Sequence, residues 1–505
     1  MERLSEQTLG RAANADIHID LPRYARSGLM NGQVHIGLGA FHRAHQALYT
    51  EQVMNQTGDA RWGIAGVSLR SPEVASRLLP QDRLYSVLER HGEEVHGRIV
   101  GALTAAWHSP TQWAAVRSAL ANPQVKVVTL TVTEKAYGQM AASGSLDVNH
   151  PDVAVDLGLS AGAAAMAFDS THSPRSVLGV LCAGLSQRPD GALLNVVCCD
   201  NMNRNGELLR ALMLEFAQHL KNAPAGLADR IRHQVSFPNT MVDRIVPAAT
   251  PESLDWACER LGLRDESALV CEPFTQWVIE DRFITDRPAW ELAGAMIVSD
   301  VAPFQDMKLR LLNAAHSAIA YLGQMCDQAT VADVMSHPVL SGFIRSLMRD
   351  ELLAVTPIPK GYSAEAYIED LLRRFENPSL AHRTEQIAMD GTQKVAVRWL
   401  PALRESVKRE QPLPHLEFAL AAWLHFLESA HSDGGVQLRI QDPGASALQS
   451  LLRRSNSAQE AVRLACTHES VFGAEAWPRA WMDRVAQALS RIRERGVLAS
   501  IERRP

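Results

Sequence analysis

The sequence is poor in cysteine and contains no long apolar segment. Seven cysteines occur in 505 residues, and none stands in a Cys-x-x-Cys pair or at a Cys/His spacing typical of a zinc site. We therefore expect free thiols in a reducing cytoplasm and no bound metal. No stretch of about 18 apolar residues is present, so no membrane span is expected. The N-terminus lacks the apolar core of a signal peptide.

Charge is also limited, and it is nearly balanced. The chain has 50 Lys and Arg residues against 56 Asp and Glu residues, which gives a formal net charge of −6. This balance, without a long basic stripe, argues against a nucleic-acid-binding surface. Hydrophobic residues make up 46% of the chain, enough for large cores, and its length suggests two or three domains.

The distribution of β-like runs divides the chain into two parts. Short β-like runs alternate with helical patterns up to about residue 285, and beyond Met307 almost every pattern is helical. Strands that alternate with helices imply βαβ units and a mostly parallel sheet. We predict an α/β domain over residues 1–290 and a mostly α-helical domain over residues 291–505. The predicted strands include residues 33–36, 62–69, 125–133 and 193–199, and residues 84–89 and 98–103 are predicted as further strands or a hairpin.

A glycine-rich turn, GLGAFH at residues 37–42, follows the first predicted strand. Its two glycines have the spacing of the dinucleotide fingerprint, in which the backbone turns tightly and approaches a pyrophosphate. His42 stands in place of the third glycine, so an ordinary strand–helix turn remains an alternative. Because a strand precedes the turn and a helical pattern follows it, we predict a Rossmann-type dinucleotide-binding domain. The predicted cofactor contacts in this turn are Gly37, Gly39, Ala40 and Phe41.

The ribose of the dinucleotide should be bound just after the second strand. Glu73 is the candidate acidic residue for the ribose hydroxyls of NAD, although it could equally be a solvated carboxylate at a helix start. Arg70 stands close to it and could accommodate the 2′-phosphate of NADP. We therefore favour NAD as the cofactor and leave NADP open.

Polar side chains also follow the later strands, at the edge where such sheets bind ligands. Thr133 and Glu134 come at the end of the 125–133 run and are candidate cofactor contacts. Asn201 follows the 193–199 run, where its amide could donate to a substrate oxygen or form an Asx-turn. Asp243 precedes Arg244 in an apolar segment and is either part of a local salt bridge or a substrate-facing carboxylate.

Three polar residues interrupt an otherwise apolar helix predicted over residues 308–323. Lys308, Asn313 and His316 fall within an arc of roughly 140° at α-helical spacing. Their burial costs several kcal/mol unless they are paired or used. A lysine with a lowered pKa can take the proton of a secondary alcohol, and amide donors can stabilise the charge on its oxygen. Each residue alone could be structural, but together they indicate a dehydrogenase that passes hydride to a nicotinamide.

These motifs together resemble the mannitol dehydrogenase family, the polyol-specific long-chain dehydrogenases. The resemblance implies metal-independent catalysis with Lys308 as the base. It also implies that Asn313 and Asn201 hold the reacting oxygen. Substrate-site roles are implied for His316, Asp243 and Lys394. The resemblance is carried by residues 35–50, 129–138, 199–206, 237–254, 271–283, 308–323 and 377–394.

The segment HRTEQIAMDG, residues 382–391, resembles the fructuronate reductase branch, which interconverts D-mannonate and D-fructuronate. Gln386 stands where mannitol 2-dehydrogenases look to carry an arginine. Arg383 is a hypothetical bidentate partner for the substrate carboxylate.

We therefore expect an NAD-dependent oxidoreductase of a sugar acid. A neutral-polyol dehydrogenase is the nearer alternative and a non-catalytic dinucleotide-binding protein the remote one. We expect no nucleic-acid or membrane partner, and a monomer or small homo-oligomer.

Overall fold

The computed structural model describes residues 1–140, 144–159, 172–380 and 382–502. It divides into two compact units, Met1–Ala302 and Pro303–Pro505. In the described ranges, every strand belongs to the first unit, and the second unit is built from helices. The predicted fold class, an α/β domain followed by a mostly helical domain, is confirmed.

The first unit contains one large parallel sheet and two smaller sheets. The large sheet has the order β6-β3-β2-β7-β8-β9, and all its neighbouring strands are parallel. The strands of the described residues are β1 (His18–Asp20), β2 (Asn31–Ile36), β3 (Gly63–Ser68), β4 (Tyr85–His91), β5 (Glu94–Val100), β6 (Leu103–His108), β7 (Val127–Leu130), β8 (Leu194–Cys198), β9 (Val235–Ser236), β10 (Thr240–Asp243), β11 (Leu269–Cys271), β12 (Gln276–Glu280) and β13 (Met296–Val298).

Counted along the chain, the strands of the large sheet have the Rossmann order 3-2-1-4-5-6. The order reverses between β2 and β7, and ligands of such sheets bind outside the carboxyl ends of the strands at this reversal. The central strands are apolar because both of their faces are covered. Val128 and Leu130 of β7 belong to one buried cluster, and Val127 belongs to another.

Helices pack on the large sheet, and helices are also the regular elements of the second unit in the ranges that the structure describes. The helices of the first unit are α1 (Ala40–Arg43), α2 (Gln46–Thr57), α3 (Glu73–Leu78), α4 (Ser109–Ala121), α5 (Pro151–Asp156), α6 (Val177–Gln187), α7 (Asn205–His219), α8 (Leu227–His233) and α9 (Pro251–Leu261). Ser176 begins α6 as its N-cap, because its Oγ accepts the N–H of Gly179 at 3.0 Å.

The second unit begins one residue after the start of α10. The remaining α-helices are α10 (Ala302–Met307), α11 (Ala314–Met325), α12 (Val331–Ser336), α13 (Pro338–Ser346), α14 (Ala364–Phe375), α15 (Thr384–Ala388), α16 (Gly391–Arg398), α17 (Leu400–Lys408), α18 (Pro414–Ser429), α19 (Ala445–Arg453), α20 (Ala458–Ala465), α21 (Glu469–Phe472), α22 (Arg479–Arg495) and α23 (Val497–Glu502). One π-helical turn, Lys308–Asn313, lies between α10 and α11, and a second, Leu347–Leu352, follows α13 and leads into the 3-10 turn Leu353–Val355.

The two smaller sheets of the first unit differ from the sequence prediction. They have the orders β1-β5-β4-β11 and β10-β12-β13, and each contains antiparallel pairs. The hairpin predicted as one alternative for residues 84–89 and 98–103 is confirmed by the antiparallel pair β4–β5. The bounds of the second run were wrong, because β5 ends at Val100 and β6 begins at Leu103. The two strands join different sheets, so the apolar run continues while the pairing partner changes.

The part of the chain that the structure describes has no helix long and apolar enough to cross a membrane.

A buried carboxyl group on α2 makes the stability of the first unit depend on pH. Glu51 is 3% exposed, and its Oε2 accepts hydrogen bonds from the Tyr24 hydroxyl at 2.6 Å and the Gly101 N–H at 2.9 Å. Burial raises the pKa of Glu51 from 4.5 to about 7. Such a group is protonated in the fold and ionised in the unfolded chain between these two values. Stability is therefore lost as the pH rises through this interval.

We predict that Glu51→Gln removes this loss. At pH 8 the variant should be more stable than the wild type, by at most about 3 kcal/mol, and at pH 4 the difference should vanish. Urea unfolding at both pH values measures the effect. Glu93→Gln, at an exposed position, is the matched control and should change neither curve. Equal stability of Glu51→Gln and wild type at pH 8 would contradict the prediction.

Candidate active site

The turn after β2 requires glycine at residue 37. Gly37 has a φ of +101°, and a Cβ there would lie 2.1 Å from the carbonyl oxygen of Thr131. The N–H groups of Gly37 and Leu38 both donate to the Val67 carbonyl, at 2.8 and 3.2 Å. A Cβ at Gly39 would meet only the Gly37 carbonyl oxygen, at 3.7 Å. The backbone is therefore accessible at Gly39, directly before the start of α1, where the first N–H groups lack intrahelical acceptors.

His35, near the end of β2, supports this turn from inside the sheet. Its Nε2 lies 2.9 Å from the Gly37 carbonyl oxygen, and its Nδ1 lies 2.8 Å from the Thr129 hydroxyl. A carbonyl only accepts, so Nε2 carries the proton and Nδ1 accepts from Thr129. Burial lowers the pKa of His35 to about 3, so the ring is neutral. The Thr131 hydroxyl donates to the same carbonyl at 2.9 Å.

His42, which replaces the third glycine of the fingerprint, packs on this support. Its ring stacks on His35 with centroids 3.3 Å apart and an interplanar angle of 8°. The missing glycine would have allowed close packing of helix on strand. Here two imidazole rings fill the space between α1 and β2. Burial lowers the pKa of His42 well below its ordinary value, so the stacked rings do not repel each other as cations.

Asp200 organises the carboxyl ends of β7 and β8. Its carboxylate accepts the N–H groups of Val132 at 3.1 Å and Thr133 at 2.9 Å, and the Tyr137 hydroxyl at 2.6 Å. Burial raises the pKa of Asp200. These bonds hold Thr133 at a φ of +77°, with its side chain exposed, and Glu134 follows it on the surface.

Asn205 and Asn239 hold the beginning of α7. Asn205 does not cap α7, because its buried Nδ2 donates to the carbonyls of Cys198 and Asp200, at 3.0 Å each. The cap comes from Asn239, whose Oδ1 accepts the N–H of Gly206 at 3.1 Å. A distant segment of chain therefore begins this helix, which sequence position alone could not reveal.

The other candidate residues of the first unit lie in different surroundings. Asn201 is exposed beyond β8, and Asp243 is buried at the end of β10. Arg244 makes an ion pair with Glu89 of β4 at 2.5 Å. Glu73 is exposed at the start of α3 and pairs with Arg77 along the helix.

The second unit carries Lys308 and Asn313 at the two ends of a π-helical turn. The Ala314 N–H donates to the Leu309 carbonyl, the i→i+5 pattern that defines this turn. In an α-helix, residues five apart diverge by about 140° around the axis. The wider turn brings Lys308 and Asn313 closer to one face. π-Helical turns are rare, and they occur frequently at functional sites.

Side chains from α16 and the residue after it hold this irregular helix. Arg398 donates to the Asn313 carbonyl at 3.2 Å and to the Ser317 hydroxyl at 2.9 Å. Trp399 donates its indole N–H to the Ala314 carbonyl at 3.0 Å. These donors satisfy the backbone where the π turn passes into α11. The side chain of Lys308 is buried at the beginning of the same turn.

His316 lies among aromatic and basic side chains. Its ring stacks on Phe375 at a centroid distance of 5.6 Å and meets His382 edge-on at 4.9 Å. Burial lowers the pKa of His316 well below its ordinary value, and His382, Arg398, Arg374 and Lys394 lower it further. Burial and Lys394 also lower the pKa of His382, so the charged neighbours of His316 are the two arginines and the lysine.

The two remaining substrate candidates lie on either side of α15. Lys394 of α16 donates to the Ile387 carbonyl at 3.0 Å, and its charge reaches His316. Arg383 directly precedes α15, and its side chain is 63% exposed, 3.5 Å from a carboxylate oxygen of Glu385. Lys394 is thus one of the groups that lower the pKa of His316 most, and Arg383 is not.

Four residues that shape the two candidate regions were not predicted from the sequence. They are His35 and Asp200 in the first unit, and Arg374 and Arg398 in the second. A signal existed for His35, because it is polar within an apolar strand. Nothing in the local pattern marks Arg374, a buried arginine on an amphipathic helix.

Both units match the two domains of one protein family. Residues 31–292 match the mannitol dehydrogenase Rossmann domain, and residues 300–493 match the mannitol dehydrogenase C-terminal domain.

Individual proteins match over nearly the same span. An uncharacterized oxidoreductase of Escherichia coli strain K12, YeiQ, is 40% identical over 90% of this chain and 91% of its own length. The D-mannonate oxidoreductase of the same strain is 38% identical over 87% of this chain and 88% of its own. A solved structure is also similar, the Pseudomonas fluorescens mannitol 2-dehydrogenase in ternary complex with NAD and D-mannitol. It has a TM-score of 0.83 and 31% identity, and the match covers 99% of both chains. The chain therefore belongs to the mannitol dehydrogenase family, as its motifs predicted, and is an oxidoreductase of that family.

Proposed function

We propose that this enzyme interconverts a sugar-acid alcohol and its keto form, D-mannonate and D-fructuronate, with NAD as the redox cofactor. The observation that carries the choice of substrate is the set of basic residues Arg374, Lys394 and Arg398, whose charges lower the pKa of His316. A carboxylate is attracted to such a set, and a neutral polyol gains nothing from it. The 38% identity to a protein named D-mannonate oxidoreductase supports the same choice.

The backbone at the carboxyl end of β2 fits a dinucleotide pyrophosphate. Among the described residues, no side chain outside the neighbours of Gly39 lies within 4 Å of a Cβ placed there, and the N–H groups at the start of α1 can donate to phosphate oxygens. A bound NAD would supply the acceptor for the hydride of the carbinol carbon. We assign the pyrophosphate to the turn after β2 and the adenosine ribose to Glu73. The assigned cofactor contacts are Gly37, Gly39, Ala40, Phe41, Glu73, Thr133 and Glu134.

Lys308 is assigned the role of general base. It takes the proton of the substrate hydroxyl as the hydride leaves the same carbon, and it returns that proton when the keto acid is reduced. The amides of Asn313 and Asn201 donate to the reacting oxygen and stabilise its negative charge. His316, Asp243 and Lys394 are assigned to the other polar groups of the substrate.

The substrate carboxylate is assigned to Arg383, whose exposed guanidinium is accessible to a ligand. A bidentate arginine–carboxylate pair adds both orientation and energy. The cations around His316 draw the carboxylate toward this part of the second unit.

A neutral polyol is the second candidate substrate. It is favoured by the similarity to the Pseudomonas fluorescens mannitol 2-dehydrogenase complex, at a TM-score of 0.83. The two candidates differ by a carboxylate and therefore by one negative charge at neutral pH.

The first prediction from the proposed function concerns the choice between a sugar acid and a neutral polyol as substrate. With purified enzyme, D-fructuronate should be reduced with a higher kcat/KM than D-tagaturonate or D-fructose, and NADH should be preferred over NADPH. Absorbance at the nicotinamide band measures all six combinations. A preference for fructose would reverse the order of the two candidates. A preference for NADPH would contradict NAD as the cofactor and the assignment of Glu73, and it would leave the choice of substrate unaffected.

The second prediction concerns Lys308. Replacing it with Ala should lower kcat by about 10²- to 10⁴-fold, because the hydroxyl proton loses its acceptor. Lys308→Arg should be similarly slow, since an arginine keeps the charge but does not release its proton near neutral pH. Small primary amines added to Lys308→Ala should restore part of the rate. Full activity in either variant, with unchanged thermal unfolding, would rule out the assigned base.

The third prediction concerns Arg383. Arg383→Ala should raise KM for D-mannonate about tenfold or more while leaving kcat nearly unchanged, because a charge-assisted pair is worth about 1.5–3 kcal/mol. Turnover of D-mannitol by the same variant should not change. Arg373→Ala, at an exposed arginine of α14 that pairs with Asp370, is the matched control. Equal effects of Arg383→Ala on both substrates would argue against a carboxylate contact.

A further inference from the structure

The smaller sheet β1-β5-β4-β11 brings together three residues that can bind a metal ion. Strand β1 pairs in parallel with β5, and His18 stands opposite His96 in the register. Residues two apart along a strand point to the same face. His18 and Asp20 therefore share the face that carries His96. One ligand atom from each of these residues lies within 4.8 Å of the other two.

The separations of these atoms are close to those of a metal site. Nε2 of His18 lies 3.3 Å from Oδ1 of Asp20, and Nε2 of His96 lies 3.2 Å from Oδ2. Two ligands of one zinc ion, each at about 2.1 Å, can be at most about 4.2 Å apart. Small rotations of exposed side chains are therefore enough to place all three atoms on one ion. His18 has this freedom, because its side chain is 74% exposed.

His96 is held in the orientation that a metal ligand needs. Its Nδ1 lies 3.4 Å from Oε2 of Glu89, which leaves Nε2 to face Asp20. A histidine that binds a metal usually donates its other ring N–H to a carboxylate or carbonyl, which fixes its tautomer. Glu89 is itself buried and anchored by Arg244 at 2.5 Å.

The composition of the cluster indicates the class of metal. Two imidazoles and one carboxylate suit zinc, nickel or copper, whereas magnesium and calcium prefer oxygen ligands. Arg98 lies 3.7 Å from Asp20 and 3.6 Å from Glu89, so a cation meets a positive neighbour as well as two carboxylates. This neighbour limits the affinity without removing any of the three ligands.

We propose that His18, Asp20 and His96 form a binding site for a divalent transition-metal ion of the zinc class. The ion would join the short strand β1 to β5 and so stabilise the N-terminal part of the first unit. The site lies outside the large parallel sheet and has no part in the proposed oxidoreductase chemistry. No metal site was predicted from the sequence, because His18 and His96 are too far apart along the chain to form a short metal-binding motif.

Titration of the chelator-treated, full-length protein with ZnCl₂ in a calorimeter tests the proposal. The wild type should bind zinc, and His18→Ala should bind it at least tenfold more weakly. His91→Ala, at an exposed histidine at the end of β4, is the matched control and should bind zinc like the wild type. MgCl₂ should give no binding heat in any of the three proteins.

Thermal unfolding provides a second readout that does not depend on enzyme activity. Zinc should raise the Tm of the wild type and of His91→Ala, since a ligand that binds the folded state stabilises it. The shift should be absent in both His18→Ala and His96→Ala, and the Tm of each variant in chelator reports whether it still folds. Equal zinc affinity in His18→Ala and wild type, or no zinc binding by the wild type, would overturn the proposal.

Discussion

The carbonyl oxygen of Gly37 accepts two side-chain hydrogen bonds besides the N–H of Gly39, and the glycine-rich turn of the first unit depends on them. One donor is the ring of His35 on the same strand, and the other is the hydroxyl of Thr131, just after β7. Strands β2 and β7 are neighbours at the point where the strand order reverses. The turn is therefore fixed only when the two strands pair in register, so the site and the sheet form together.

The second unit also depends on side chains that donate to backbone carbonyls. They hold the irregular helix that carries the assigned base. A π turn shifts the backbone hydrogen bonds, and every buried polar group near it must still find a partner. Arg398 and Trp399 supply donors to the carbonyls of Asn313 and Ala314. Contacts from distant side chains of the second unit thus stabilise the π turn, although the local sequence favours a regular α-helix.

Much of the fold could be predicted from the sequence, because the signal was local. Alternation of β-like runs with helical patterns predicted the parallel sheet, and the loss of these runs predicted the helical unit. The two smaller sheets could not be predicted, since a short apolar run does not say which strand it pairs with. The π turn was missed for a related reason. Apolar residues surround nearly the whole helix over residues 308–323, so the extra residue in the turn causes no visible break in their spacing.

The sequence by itself determined the family, the glycine turn and the residue types available for chemistry, because these depend on short, contiguous motifs. Only the tertiary structure decided which polar groups meet. Asn239 caps α7 from a distant segment, cations from α14 and α16 surround His316, and His18 stands opposite His96. Such contacts depend on strand register and helix packing, which arise from burial over the whole unit. These contacts cannot be predicted from a short stretch of neighbouring residues.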